Sequence, residues 1–138
     1  MDKKILRILD ANFNRSREGL RVIEDTARFL LNDRPLAAGI KSERHRISKL
    51  FAEFPSGPAA LLKARDTDGD VGRAYSRLES GRPDAAALFT ANCQRVKESL
   101  RVLEELSKFW PGTLPAKFKA RRFAVYALEQ KALKHFKP

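Results

Sequence analysis

Two asparagines and two arginines occupy matching positions of a repeated segment, and side chains of these types can bind an anion. Residues 10–29 (DANFNRSREGLRVIEDTARF) recur eighty residues later as residues 90–109 (TANCQRVKESLRVLEELSKF). Nine of the twenty positions are identical: Ala11, Asn12, Arg15, Glu18, Leu20, Arg21, Val22, Glu24 and Phe29. A guanidinium group binds phosphate oxygens through two parallel hydrogen bonds, so the Asn12–Arg15 and Asn92–Arg95 pairs indicate a phosphate-binding site.

A helical wheel for the repeat predicts that these polar residues face inward. At about 100° per residue, the broad apolar face contains Ile8, Gly19, Val22, Ile23, Ala27 and Leu30. Asn12 and Arg15 fall inside this face, and Asn92 and Arg95 fall inside the equivalent one. A buried arginine costs several kcal/mol unless it is paired and hydrogen-bonded.

Two explanations account for inward-facing arginines. In the first, ion pairs such as Arg15 with Glu98 and Arg95 with Glu18 hold the two repeated helices in register. In the second, the two faces meet around a cavity for an anionic ligand, and the guanidinium groups bind it. Both can hold if one arginine is structural and the other functional.

A second group of chemically active residues lies in the acidic segment 65–72 (RDTDGDVG). Asp66, Asp68 and Asp70 resemble the start of a calcium loop, but Val71 and Arg77 occupy the positions that need glycine and glutamate. Mg²⁺ takes one or two protein carboxylates together with phosphates and waters, so a magnesium site is one interpretation. The alternative is a solvated turn closed by aspartate hydrogen bonds.

Other catalytic patterns are missing from the sequence. It has neither a Walker phosphate loop nor a dinucleotide-binding glycine motif. The two histidines, His45 and His135, are too far apart for a metal triad, and the single Cys93 is expected in the core. The net charge of +11 favours polyanionic partners, but the aromatic residues are mostly Phe at helical spacing, so nucleic acid is an unlikely ligand.

The periodicity predicts one all-α domain over residues 1–138. Helices are expected at about 3–31, 35–53, 83–109 and 116–135, because proline-containing turns separate four runs of helical period. An antiparallel bundle of about four long helices follows, with one long Asp-rich loop. No apolar run approaches the roughly 18 residues of a membrane span, so we expect a cytoplasmic protein. Exposure of Phe118, Phe123 and Tyr126 would favour a homodimer.

Four stretches of the chain resemble the small all-helical hydroxymethylpyrimidine phosphate kinase family. They are RILDANFNRSREGLRVIEDTARF at 7–29, Arg44-His45, ARDTDGDVG at 64–72 and NCQRVKESLRVLEE at 92–105. The same domain is found fused to the N-terminus of thiamine phosphate synthase. The resemblance implies an ATP-binding, Mg²⁺-dependent transferase that converts 4-amino-5-hydroxymethyl-2-methylpyrimidine phosphate to its diphosphate in thiamine biosynthesis.

With that resemblance, the candidate site residues take roles in phosphoryl transfer. Arg15, Arg95 and Asp66 are the candidate catalytic residues, and Asp66 and Asp70 are the candidate ligands of Mg²⁺–ATP. The remaining candidates contact substrate or phosphate, or orient the arginines: Asn12, Arg44, His45, Arg65, Thr67, Asn92, Glu18 and Glu98. The alternatives are a non-catalytic domain that binds the phosphorylated substrate beside a thiamine phosphate synthase partner, and a basic nucleic-acid-binding module.

Overall fold

The computed structural model describes residues 1–74 and 80–136, and it is all helical. Helix α1 spans Lys3–Asp25 and continues into a π-helical turn, Thr26–Leu30. Helices α2 (Arg34–Glu53), α3 (Gly57–Ala64), α4 (Ala85–Ser107) and α5 (Leu114–Ala132) follow, and a 3₁₀ turn, Leu133–His135, ends the last helix. The described part of the chain contains no β-strand, so the all-α prediction is confirmed. None of its helices is long and apolar enough to cross a membrane.

Local sequence signals fix the ends of these helices. Asp2, Asp33 and Asp84 are the N-caps of α1, α2 and α4, and each carboxylate accepts a hydrogen bond from a backbone N–H of the first turn. Proline stands in the first turn of α2, α3 and α5, where its missing N–H costs nothing. The helix boundaries therefore follow the sequence prediction closely.

The four long helices form an antiparallel bundle in which α1 neighbours α2 and α4, and α5 neighbours the same two helices. Contacts between distant residues set the directions of the helices: Glu24 with Arg44, Lys97 with Glu129, Glu53 with Lys117, and Gly19 with Val96. The short α3 packs on the outside of α1 and α2. This arrangement places the N-terminal half of α1 beside the segment that follows α3.

The core differs from the one that the helical wheel predicts. On α1 and its π-helical turn the buried apolar residues are Leu9, Phe13, Leu20, Ile23 and Ala27, whereas Ile8, Val22 and Leu30 are exposed. Phe13 is central, because its ring packs edge-to-face against the rings of Phe51, Phe54 and Phe118. Because Phe118 is fully buried, it cannot take part in the exposed stripe expected around Phe123 and Tyr126. Cys93 is a core residue as predicted, and burial raises the pKa of its thiol to about 12.

The two repeats contain matching buried ion pairs. Glu24 of α1 accepts a hydrogen bond of 2.8 Å from Nε of Arg44 on α2. Glu104, its equivalent on α4, accepts one of 2.9 Å from Nη2 of Arg122 on α5. Both glutamate side chains are less than a tenth exposed. The pairing explains why this glutamate is identical in the two copies, and it places Arg44 in a structural role.

Gly19 lies at a point of close contact between α1 and α4. A Cβ atom added to Gly19 would lie 2.7 Å from Cγ2 of Val96 and 3.3 Å from the carbonyl oxygen of Asn92. The close packing suggested by a glycine inside a helix is therefore present.

We expect Gly19→Ala to lower the free energy of unfolding by about 1 to 2 kcal/mol, although alanine has the higher helix propensity. Urea denaturation followed by circular dichroism measures the change. The double variant Gly19→Ala/Val96→Ala removes the obstructing methyl group, so the two substitutions should be less costly together than the sum of their separate effects. Additive losses would contradict the close contact as the cause.

Asp33 connects the start of α2 with residues Lys134 and His135 near the C-terminus. Its carboxylate accepts a hydrogen bond from the N–H of Leu36 and contacts His135 and Lys134. These contacts, led by the backbone hydrogen bond, hold the pKa of Asp33 well below its ordinary value of 3.8. A carboxyl group with a lowered pKa stabilises the fold above its unfolded-state pKa, and the contribution is lost as the pH falls.

Asp33→Ala is therefore expected to lower the melting temperature at pH 7, with a difference from the unsubstituted protein that shrinks progressively below pH 3.8. Thermal unfolding of both proteins across an acid pH series measures this trend. A difference that stayed constant down to pH 2 would show that the ionised carboxylate is not the stabilising group.

Candidate functional site

A cleft of about 490 Å³ lies between the N-terminal half of α1 and the segment 65–70. Successive turns of α1 form one wall, and the acidic segment forms the other. Twelve residues line the cleft: Lys4, Arg7, Ile8, Asp10, Ala11, Asn12, Asn14, Arg15, Arg65, Asp66, Thr67 and Asp70. Six of the residues singled out from the sequence are therefore brought together here, namely Asn12, Arg15, Arg65, Asp66, Thr67 and Asp70.

The acidic segment is anchored to α1 by a two-pronged ion pair. Nε and Nη2 of Arg65 donate to the two carboxylate oxygens of Asp10 at 2.7 and 2.8 Å. Asp10 is almost fully buried, and the pairing raises the pKa of the Arg65 guanidinium. Nη2 of Arg7 adds a hydrogen bond of 3.3 Å to the carbonyl oxygen of Asp66. Arg65 was predicted to contact the ligand, but two of its nitrogens are occupied by Asp10 and position the wall of the cleft.

Three cations of the cleft are available to a ligand. Within residues 1–74 and 80–136, no carboxylate lies within ion-pair distance of Lys4, Arg7 or Arg15. Arg15 is exposed, contrary to the expected inward orientation, and has only a long contact of 3.5 Å from Nη1 to Oδ1 of Asn12. Asn12 is buried as expected, and its amide donates to the carbonyl oxygen of Ile8. The α1 wall of the cleft is consequently cationic.

The carboxylates of the acidic segment stabilise turns. Asp66 accepts a hydrogen bond of 2.9 Å from the N–H of Gly69, and Asp70 accepts one of 2.9 Å from the N–H of Gly72. Asp68 instead pairs with Arg73 at the surface. The alternative of a turn closed by aspartate hydrogen bonds is therefore present in the structure.

These hydrogen bonds are compatible with a role of Asp66 and Asp70 in cation binding. The described residues contain no group of three or more His, Cys, Asp or Glu side chains placed to hold a metal ion. Asp66 and Asp70 both line the cleft, and each uses one carboxylate oxygen for its turn. Two carboxylates are sufficient for Mg²⁺ when phosphates and waters complete its coordination. The donor set fits a magnesium ion that arrives with a phosphorylated ligand.

The other candidate residues lie outside this cleft. Arg44 pairs with Glu24 on another side of α1, and His45 next to it is exposed to solvent. Asn92 donates within α4 to the carbonyl oxygen of Leu88, and Arg95 is exposed. The sequence-based expectation of a shared site that contains both repeats therefore does not describe this cleft.

The proposed register pairs between the repeats are also absent. In the part of the chain that the structure describes, neither Arg15 with Glu98 nor Arg95 with Glu18 forms an ion pair. Glu18 and Glu98 are exposed, and Glu98 accepts a hydrogen bond from Gln94 of its own helix. At Gly19 the absence of a side chain allows close contact between α1 and α4 without these ion pairs.

Six lining residues were not among the sequence candidates: Lys4, Arg7, Ile8, Asp10, Ala11 and Asn14. Lys4, Arg7, Ala11 and Asn14 follow one another at spacings of three and four residues, which places them on one helix face. This helix face could have been recognised in the sequence as a candidate wall of a binding site. Asp10 gave no such signal, because its partner Arg65 lies 55 residues away in the sequence.

Comparison with known proteins supplies the family. The ThiD2 family matches residues 7–131, which include every residue that lines the cleft except Lys4. The chain is 44% identical over 129 residues to the thiamine-phosphate synthase of Thermosynechococcus vestitus, and 44% identical over 126 residues to that of Synechocystis. It is 37% identical over 126 residues to the thiamine-phosphate synthase of Rhodopirellula baltica.

The match covers most of this chain and a minority of each relative. The three alignments cover 93%, 91% and 91% of the chain, but only 35%, 35% and 33% of the relatives. The chain thus spans about a third of the length of these synthases. No solved structure matches it. The similarity to thiamine-phosphate synthase implied by the sequence motifs is confirmed, whereas the kinase activity stays a prediction. The chain belongs to the ThiD2 family.

Proposed function

We propose that this chain binds a phosphorylated pyrimidine precursor of thiamine in the cleft between α1 and the acidic segment, as a domain that works with thiamine-phosphate synthase. The relatives support the pathway, because each is named a thiamine-phosphate synthase and contains a region similar to more than nine-tenths of this chain. Their greater length supports the role of a partner domain, since most of each synthase lies outside the shared region.

The observation that carries the proposal is the excess of available positive charge on the α1 wall. Arg65 and Asp10 neutralise each other, so Lys4, Arg7 and Arg15 are the groups that face an incoming ligand. A phosphate monoester carries between one and two negative charges at neutral pH and has three acceptor oxygens. Arginine binds such a group through paired hydrogen bonds. Asn12 and Asn14 add neutral amides beside the cations.

The dimensions of the cleft agree with a small metabolite. Its volume of about 490 Å³ is within the range of roughly 300–1,000 Å³ that is typical of ligand pockets. The apolar surface of Ile8 and Ala11 lies between the charged groups and can contact the face of a planar ring.

Calorimetric titration of the folded chain tests the proposal. Hydroxymethylpyrimidine phosphate is expected to bind, and the unphosphorylated alcohol is expected to bind at least tenfold more weakly, because most of the attraction comes from the phosphate. Equal affinity for the two compounds, or no binding of either, would contradict the proposal. Inorganic phosphate serves as a third ligand that separates recognition of the anion from recognition of the ring.

A phosphomethylpyrimidine kinase activity is the second candidate, and the position of Asp66 and Asp70 favours it. Both residues line the cleft together with the cations of α1, and their carboxylates would hold Mg²⁺ with the phosphates of ATP. The magnesium ion would reduce the repulsion between the two phosphorylated substrates. An oxygen of the acceptor phosphate would bond to the γ-phosphorus while the β–γ bridging bond breaks, and ADP would leave with the electron pair. The acceptor is already anionic at neutral pH, so a general base is unnecessary.

Release of ADP from Mg²⁺–ATP distinguishes the two candidates. Release that requires the pyrimidine monophosphate and is absent with the alcohol would establish the kinase. No release from a folded sample that binds the monophosphate would leave substrate binding as the function. A variant with both Asp66→Asn and Asp70→Asn should lose ADP release but keep affinity for the monophosphate, because the cations of α1 are unchanged.

A further inference from the structure

The two repeats are more alike on their outer surface than in the core. Eight buried positions of α1 and its π-helical turn (9, 13, 16, 19, 20, 23, 24 and 27) are matched by eight buried positions of α4, and only Leu20 and Glu24 are identical to their counterparts. The unburied positions 8, 11, 15, 18, 22, 25 and 29 correspond to 88, 91, 95, 98, 102, 105 and 109, none of which is buried. Five of these seven pairs are identical, at Ala11, Arg15, Glu18, Val22 and Phe29.

Internal packing does not require this pattern. Buried positions need a particular volume and polarity, which explains why different apolar residues are accepted there. Exposed positions tolerate most substitutions with little effect on stability. Identity at exposed positions of both copies therefore indicates that the two outer stripes contact something outside the chain, and that they contact it in equivalent ways.

The geometry of the two stripes suits a partner with two-fold symmetry. Each stripe has spacings of three and four residues and lies on the side of its helix opposite the core. Because α1 and α4 are antiparallel neighbours that touch at Gly19 and Val96, the stripes are related by an approximate two-fold axis between the helices. A second copy of the same face, related by a two-fold rotation, is a natural match for such a surface.

The charges of this face point to the same partner. The chain has a net charge of +11, so most surfaces of two copies repel each other. On the stripes, Arg15 and Arg95 are balanced by Glu18 and Glu98, and all four side chains are exposed. None of the four forms an ion pair with another described residue, so the arginines of one copy are free to meet the glutamates of a second.

Apolar side chains on the same face can supply the buried area. Ile8 is 44% exposed, Val22 36%, Phe29 63% and Phe109 66%. They are four of the eleven large hydrophobic side chains that are exposed in the described part of the chain. Ile8, Phe29 and Phe109 lie at the ends of the stripes, and Val22 lies within the α1 stripe. Aromatic side chains are enriched at protein interfaces.

We propose that two copies of this chain form a two-fold dimer through the outer face of α1 and α4, with the arginines of each stripe opposite glutamates of the partner copy. This inference does not depend on the proposed ligand. Ile8, Ala11 and Arg15 lie both on the stripe and on the wall of the cleft, so dimer formation and ligand binding would compete for these three side chains.

Sedimentation equilibrium of the folded chain, from micromolar to sub-millimolar concentration, tests this proposal. Two variants on the α4 stripe, Val102→Asp and Glu98→Arg, lie outside the cleft and are each expected to raise the dimer dissociation constant at least tenfold. The matched control is Phe123→Asp, which puts the same charge on an exposed apolar residue of α5, 54% exposed and outside the stripes. Thermal unfolding confirms that each variant is folded.

A dimer that is weakened by Val102→Asp and Glu98→Arg and unaffected by Phe123→Asp would support the proposed interface. A chain that is monomeric throughout the concentration range would overturn it. A dimer dissociated by Phe123→Asp alone would also overturn it, because the interface would then lie on α5. The same holds if the stripe variants abolish binding to a thiamine-phosphate synthase while the unsubstituted chain is monomeric.

Discussion

Replacing Arg15 with alanine is expected to weaken binding of hydroxymethylpyrimidine phosphate by about 10- to 100-fold while the melting temperature stays unchanged. Loss of a hydrogen bond to a charged group costs about 1.5–3 kcal/mol, and 1.4 kcal/mol corresponds to a factor of ten in affinity. Arg15 is exposed and, among the described residues, has only the long contact with Asn12, so we expect the fold not to depend on it. Calorimetric titration and thermal unfolding of the same sample measure the two effects.

The repeat provides a matched control for this experiment. Arg95 has the same residue type, the same position in its repeat and a similarly exposed side chain, but it lies outside the cleft. Arg95→Ala should therefore leave the affinity for the monophosphate nearly unchanged. Equal losses of affinity for Arg15→Ala and Arg95→Ala would contradict binding in the cleft. They would indicate that the ligand binds to a surface that both repeats share.

Replacing Arg122 with methionine should have the largest effect on stability, a loss of about 3 kcal/mol in the free energy of unfolding. The Glu104 side chain is 7% exposed, and Arg122 donates to it from Nε and Nη2 at 3.3 and 2.9 Å. Their pairing raises the pKa of the Arg122 guanidinium. Without Arg122, the buried carboxylate loses its closest compensating charge, which costs more than the net contribution of an intact pair. Urea denaturation measures the loss.

Arg101 provides the comparison, because it contacts the same carboxylate from the surface. Its side chain is 53% exposed, and Nη1 lies 3.0 Å from Oε1 of Glu104. Surface ion pairs contribute about 0–1 kcal/mol, so Arg101→Met should cost less than 1 kcal/mol. The double variant Glu104→Gln/Arg122→Met should be more stable than Arg122→Met alone, since it removes the unpaired charge. Equal losses in the free energy of unfolding for Arg101→Met and Arg122→Met would show that burial does not determine how much each ion pair contributes to stability.

Only part of the cleft could be predicted from the sequence, and there is a physical reason why the rest could not. Asn12, Arg15 and the residues of segment 65–70 were recognised by residue type and spacing, which are local properties. Their assembly into one cleft depends on the pair between Asp10 and Arg65, which closes a loop of 55 residues. The magnesium role of Asp66 and Asp70 stays a prediction, as does catalysis by any of these side chains.

The sequence by itself determined the helices, the repeat and the family motifs. Helical period, aspartate caps and prolines act within a few residues, so the ends of α1, α2, α4 and α5 could be read directly. Only the tertiary structure decided which face of α1 is buried. Apolar residues lie on both sides of this helix, so a wheel that includes Ile8, Val22 and Ile23 gives no unique inner face.

The tertiary structure also decided which charges are structural. Arg44 and Arg122 look no different in sequence from the other basic residues, yet each pairs with a buried glutamate on a neighbouring helix, whereas Arg15 and Arg95 face solvent. Arg44 lies 20 residues from its partner in sequence and Arg122 lies 18. The free energy of a charged side chain depends on burial and on the nearest opposite charge, and both are set by how the helices pack.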